Sequence, residues 1–159
     1  MCEDINQEVK EMKDMLDFWL TNMYLADWDT SVKVLDNGDF AINSKYSQAH
    51  GENNIYNQLQ TSEIIIKKES EFERECILVH ELSHLIPIPF LTMINKWYDF
   101  FPQIMHNMIE ESINDCNETV THHITRALLS VRDAAYEQGY NDAMNEIGLI
   151  MPGDNNETD

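Results

Sequence analysis

Basic side chains are scarce in this sequence. Ten Lys and Arg stand against 29 Asp and Glu, a formal charge of −19 over 159 residues. Sequence-independent affinity for nucleic acid comes from neutralising phosphates with Lys and Arg, so nucleic acid is excluded as a partner. The acidic surface then serves solubility, or it engages a basic partner, DNA mimicry included. Also missing is any apolar run near the ~18 residues of a membrane span, so no membrane is expected. The opening Met1-Cys2-Glu3-Asp4 has neither the basic nor the apolar region of a signal peptide. Cysteine is sparse: Cys2, Cys76 and Cys116 cannot all pair and show no C-x-x-C spacing, which reads as reduced thiols in a reducing compartment. These absences predict a cytoplasmic protein.

What is present suits one globular domain over residues 1–148, since 43% hydrophobic and 25% charged residues are ordinary values. Residues 149–159 are acidic and poor in apolar side chains, and read as a disordered tail. Between residues 8 and 26, Val9, Met12, Leu16, Trp19, Leu20 and Met23 recur at helical spacing. Two β-rich pieces, Thr30–Leu35 and Phe40–Asn43, flank Asp36-Asn37-Gly38-Asp39 and predict a hairpin turning at Asn-Gly. A polar loop around His50–Asn54 follows, then a short buried strand, Ser62–Lys68. Ser70 and Glu73 have capping-box spacing. The helix they open is expected to carry Cys76, Ile77, Leu78, Leu82 and Leu85 and to stop near Pro87 and Pro89. A longer helix is expected from about residue 103 to 137, with an apolar stripe of Ile109, Ile113, Cys116, Val120, Ile124, Ala127, Leu128 and Val131.

Inside the middle helix stands Val79-His80-Glu81-Leu82-Ser83-His84-Leu85. A helix needing only a core would place Leu or Ala there. At about 100° per residue, His80 and His84 lie one turn apart on one face and can reach one ion. Zn²⁺ in catalytic sites takes three protein ligands and keeps a fourth position for water. Glu81 is placed to take a proton from that water and deliver it to a leaving amine.

A third ligand is required, and no His follows at the short H-E-x-x-H-x-x-G-x-x-H distance. The next helix offers Glu111, Asp115, Glu118 and His122 as one polar stripe. Asn117-Glu118-Thr119-Val120-Thr121-His122 resembles the N-E-x-x-x-D segment of thermolysin-like zinc peptidases, whose glutamate is the third ligand. Here His122 replaces the supporting carboxylate, so Asp115 is the substitute from one turn earlier and His122 an oxyanion or solvent-facing residue. His50, His106 and His123 read as surface or packing residues. The aromatic-rich segment Pro87–Met105 reads as core packing or as a wall of the cleft.

The pattern resembles small single-domain H-E-x-x-H proteins identified as phage or prophage metallopeptidases. The likeness spans roughly residues 15–135 and rests on "WDTSVKVL", "SEIIIKK", "ILVHELSHLI" and "ETVTHHITRALLSV". It implies a compact α+β, zincin-like (gluzincin-like) fold: a small sheet packed on the active-site helix, and a second long helix carrying the third ligand. His80, His84 and Glu118 would be zinc ligands, Glu81 the catalytic base, and Glu111 the alternative third ligand. The expected function is a zinc metallopeptidase acting on peptide or protein, in the host cytoplasm if phage-encoded. Two other classes stay open: a non-catalytic zinc-containing binding protein, and an acidic DNA mimic acting on a basic host factor.

Overall fold

The computed structural model describes residues 2–44, 49–70, 73–98 and 100–146; the expected tail, 149–159, lies outside them. The chain falls into two units, Met1–Thr125 and Arg126–Asp159, and everything that follows concerns the first.

Helix α1 (Cys2–Asn22) buries Met12, Leu16, Trp19, Leu20 and Met23, the face that the helical spacing predicts. At about 1.5–3 kcal/mol for each large apolar side chain fully buried, these five dominate its docking. The hydrogen bond from Trp19 Nε1 to Glu75 Oε1, 2.9 Å, adds about 1 kcal/mol and fixes register. The helix ends in a Schellman turn: Leu25 N bonds Leu20 O at 2.8 Å and Tyr24 N bonds Thr21 O at 3.2 Å. Tyr24 accordingly takes the left-handed conformation, φ 57°.

Strands β1 (Asp29–Leu35), β2 (Gly51–Tyr56) and β3 (Thr61–Lys67) form a sheet of order β1-β3-β2, with β1 parallel and β2 antiparallel to the central β3. Ile64 and Ile66 point to one face of β3 and Ile65 to the other, yet all three are buried. A central strand covered on both faces reads as a continuous apolar run rather than an alternation. One face carries α1 and helix α3 (Arg74–Ser83); the other carries the short helix α2 (Asn37–Asn43). Helix α4 (Ile88–Tyr98) follows α3 directly, with Pro89 in its first turn, where the missing N–H disrupts nothing. Helix α5 runs from His106 to Glu146. The architecture is α+β.

Several sequence-based expectations need correction. Phe40–Asn43 is helical, not a strand. Asp36 caps α2 by accepting a 3.0 Å bond from Asp39 N, and Phe40 is pulled completely into the core. β1 and its successor β2 lie on opposite sides of β3 and do not pair with each other, so no hairpin joins them. The supposed polar loop contains β2, whose Glu52 is buried and receives a short hydrogen bond from Ser44 Oγ. The capping box does not form: Glu73 is the residue preceding α3 and makes no side-chain capping bond. Ser70 Oγ instead lies 3.0 Å from His50 Nδ1. The aromatic side chains Phe90, Trp97, Phe100 and Phe101 are exposed rather than core.

On α5 the buried face is displaced from the expected apolar stripe rather than centred on it. Cys116 and Val120 of that stripe are exposed, while Ile109, Ile113 and Ile124 are half-buried. The buried residues are Thr121 and Thr125, and the polar stripe of Glu111, Asp115, Glu118 and His122 is exposed as expected.

Sheet and α3 meet most closely at Gly51. A Cβ there would stand 2.5 Å from Ile77 Cγ2 and 3.0 Å from Glu81 Oε1, so only glycine allows this approach. Gly51→Ala is expected to cost about 1–3 kcal/mol by overpacking, read as a lower denaturant midpoint. Gly38→Ala, whose Cβ would meet nothing closer than 3.5 Å, is the control and leaves the midpoint unchanged.

Candidate metal centre

The last turn of α3 presents His80 and His84 with their rings 5.0 Å apart and nearly perpendicular, at 88°. From α5, Glu118 reaches over both. Its Oε2 is 3.8 Å from His80 Nε2 and its Oε1 is 3.6 Å from His84 Nε2. Both separations exceed the 2.7–3.2 Å of an N–H···O hydrogen bond. Three donors around a tetrahedral ion, each at ~2.0–2.1 Å, stand about 3.3 Å from one another. The spacing therefore suits a cation between them better than a direct bond.

Among the described residues, these three form the one group of His, Cys, Asp or Glu whose ligand atoms lie mutually within 4.8 Å and could hold a metal ion. Glu111 and Asp115 are not part of it. Asp115 is exposed, and its backbone carbonyl accepts from Thr119 Oγ1 at 2.8 Å. His122 stands beside the group, its ring 4.8 Å from that of His80.

Electrostatics agree with the spacing. Burial, then the neighbouring His84 and His122, lowers the His80 pKa to about 4 against the opposing pull of Glu118. Burial also lowers that of His84, again against Glu118. At neutral pH both imidazoles are uncharged and their lone pairs are available to an ion. No proton has to leave first.

A ligand nitrogen at Nε2 requires the hydrogen on Nδ1, and that hydrogen needs an acceptor. For His84 the acceptors are present. Thr121 Oγ1 and the Asn117 side-chain amide each lie 3.3 Å from Nδ1. With Nδ2 turned toward the ring, Asn117 Oδ1 is buried without a partner. The opposite amide orientation lets Oδ1 receive the Nδ1–H, and orientation is decided by such networks. The structure thus supplies the support that the sequence reading sought from Asp115. Asn117 and Thr121 were missed there, although both lie within the segment quoted around Glu118. What was lacking was which face of α5 turns inward.

Glu81 lies on the sheet side of the site and is 7% exposed. Its carboxylate rests over Gly51, and its backbone oxygen accepts a 2.9 Å bond from Asn53 Nδ2 of β2. Burial, then the charges of Glu118 and Glu52, raises its pKa to about 8. Below them, Ser83 Oγ donates to Val79 O at 2.7 Å, and Thr125 Oγ1 donates to Thr121 O at 2.9 Å. Each hydroxyl bonds a carbonyl of its own helix, and Thr125 Oγ1 also lies 3.4 Å from Ser83 Oγ, so α5 meets α3 along a polar seam.

Comparison with known protein families, with curated proteins and with solved structures found no match. What the site does must be argued from its own geometry.

Two outcomes follow from that geometry. In the metal-free protein a neutral Glu81 supports folding below about pH 4.5, and this support is lost as pH rises toward about 8. The loss grows by about 1.4 kcal/mol per pH unit across that window. Glu81→Gln, which cannot ionise, should therefore raise the metal-free denaturation midpoint at pH 8 and leave it unchanged at pH 4. Separately, Asn117→Leu should weaken Zn²⁺ affinity by about 10–100-fold in a chelator competition, while Asn117→Asp retains it.

Proposed function

We propose that this chain is a zinc-dependent peptidase, in which His80, His84 and Glu118 hold the ion and Glu81 is the general base. The observation that carries the reading is the convergence of two neutral imidazoles and one carboxylate with a second, buried carboxyl alongside. Two imidazoles and a carboxylate also suit ferrous iron. What favours hydrolysis is Glu81, whose place beside the donors matches the proton shuttle that peptide cleavage needs.

When bound, the ion supplies a Lewis acid that polarises a carbonyl and brings the pKa of water to about 7. The chain's own groups do the rest. The Asn117 and Thr121 side chains hold His84 with Nε2 directed at the centre. Asn53 ties the backbone of Glu81 to β2, which fixes where its carboxylate lies. Glu81 accepts a proton from the attacking water and returns it to the departing amine nitrogen, so the base is regenerated in each cycle. The low-dielectric surroundings of Glu81 strengthen both transfers.

Glu118 also gives the ion a structural part. It is the α5 residue that reaches both imidazoles of α3, so an ion held there ties α5 to the sheet-packed core. Anything that binds only the folded state stabilises it by mass action.

The test is hydrolysis of denatured casein by zinc-loaded protein. Glu81→Gln should lower kcat by about 10²–10⁴-fold and keep one zinc per chain, whereas Glu118→Ala should lose the zinc. Equal turnover by wild type and Glu81→Gln would overturn the mechanism. Stoichiometric zinc with no turnover would leave a metal-stabilised binding protein. Zinc should further slow amide exchange across residues 106–125, and chelation should reverse this.

A further inference from the structure

Helix α4 keeps one face against the molecule and offers the other to solvent. Thr92 Oγ1 accepts a 2.8 Å bond from Asn57 Nδ2, and Ile88, Leu91 and Ile94 are half-buried. At about 100° per residue, Phe90, Met93 and Trp97 fall together on the other side. Ile86 and Phe100 flank them in sequence, and all five are exposed. The Trp97 and Phe100 rings stand 5.8 Å apart, so the stripe continues past the helix end. Phe90, Trp97, Phe100 and Phe101 are 57%, 60%, 79% and 41% exposed. At about 150–250 Å² per aromatic side chain, these four leave roughly 350–600 Å² in water. That equals the roughly 300–600 Å² of the largest apolar patch on an ordinary monomer. With Ile86 and Met93 added, it approaches the ~800 Å² that each partner gives to a standard interface.

The same surface is nearly free of charge. Of the 29 acidic residues only Asp99 falls between residues 86 and 109, and Lys96 is the one Lys or Arg there. A basic partner finds no row of carboxylates to meet. A membrane surface fits poorly as well, because helices that lie in it are rich in Lys and Arg. An anionic leaflet also repels a chain of formal charge −19. Arg74–Trp97 is long and apolar enough to cross a bilayer, but its first half is α3, which packs on the sheet. Two copies of this chain, by contrast, can meet along the stripe with no like charges facing one another.

We propose that this face is a homodimer interface, in which α4 packs antiparallel on α4 of a second copy about a two-fold axis at Met93. Phe90 and Trp97 stand three and four residues to either side of Met93, so the antiparallel arrangement sets Phe90 beside the partner's Trp97. The thioether at the axis packs against the rings around it. Such an interface is isologous and closes at two copies. Its strength is apolar, while charge elsewhere opposes it: two chains of −19 repel each other, and salt screens that repulsion. Pairing should therefore tighten as ionic strength rises. The inference is independent of the peptidase reading.

The experiment is sedimentation equilibrium of the full chain from low to high micromolar concentration, at low and high NaCl. The mass should move from 18.6 kDa toward twice that value, sooner at high salt. Tryptophan emission of the wild type should shift to shorter wavelength over the same range, as Trp97 leaves water. Phe90→Asp and Trp97→Asp should each weaken association by about 10²-fold or more with circular dichroism unchanged, since both side chains are exposed. Ile42→Ser, at an exposed apolar position on α2, should dimerise like the wild type. A mass of one chain under all conditions would overturn the proposal. So would dimers indifferent to both Asp variants, which would pair through another face, and a mass that climbs past two copies. Flotation of a monomeric wild type with phosphatidylcholine vesicles would overturn it in favour of a lipid surface.

Discussion

The site depends on how closely α3 can approach the sheet. Gly51 on the edge strand β2 leaves room for Ile77 and Glu81 to lie directly on the strand backbone, and Asn53, two residues on, bonds the carbonyl of Glu81. With Ile77, Leu78, Val79 and Leu82 buried, the helix has one rotational setting. In that setting Glu81 points into the sheet side, while His80 and His84 project past the edge toward α5. Rotating α3 by a single residue would expose Glu81 and bury a histidine. An added methyl group at position 51 would shift the setting of Glu81 and the histidines as well as the packing, because the same contact sets both.

The other half of the site is held quite differently. Within the first unit, α5 turns Thr121 and Thr125 inward, leaves Cys116 and Val120 at the surface and only half-buries Ile109, Ile113 and Ile124. Apolar burial therefore adds little to its position there, and hydroxyl bonds of about 1 kcal/mol each contribute modestly. A polar seam of this kind is a weak joint unless something strong crosses it. Glu118, opposite two uncharged imidazoles, is placed to supply that strength once a cation lies between them. Structure and chemistry would then share one bond set, and removing the ion would loosen the element that carries the third donor.

The parts legible in the sequence were those set by local pattern. The spacing of α1 follows from its own apolar side chains, and β1 and β3 from short β-branched runs. H-E-x-x-H on a helix needs no partner to be recognised. The misread parts depend on tertiary partners. β2 is rich in Asn and Glu because α3 and α2 supply what its side chains bond to, so its composition resembles a loop. Phe40 is helical because Asp36 caps and the sheet buries its ring, whereas the Asn-Gly pair beside it imitates a hairpin. The facing of α5 was not readable from periodicity, since a helix with both a polar and an apolar stripe gives the same spacing whichever is turned inward. Glu118 was named from a local motif, but the support of His84 by Asn117 and Thr121 became visible only with α3 in place.

The cost of this arrangement also bears on what it is for. Replacing Glu81 by an apolar residue would remove a carboxyl whose pKa is displaced to about 8. Replacing His80 would remove an imidazole displaced to about 4. The first displacement is a penalty on folding in the metal-free chain at neutral pH, and the second becomes one as pH falls below 6.5. Stability alone would favour Leu or Ala at such positions, as in the turns of α3 just before them. The inward Thr121 and Thr125 of α5 break a second local rule. Single departures of this kind are common in proteins and mean little. Here the buried Glu81, the displaced His80 and the inward Thr121 lie beside the group His80, His84 and Glu118, and departures gathered beside one set of candidate ligands make it the first place to test for function.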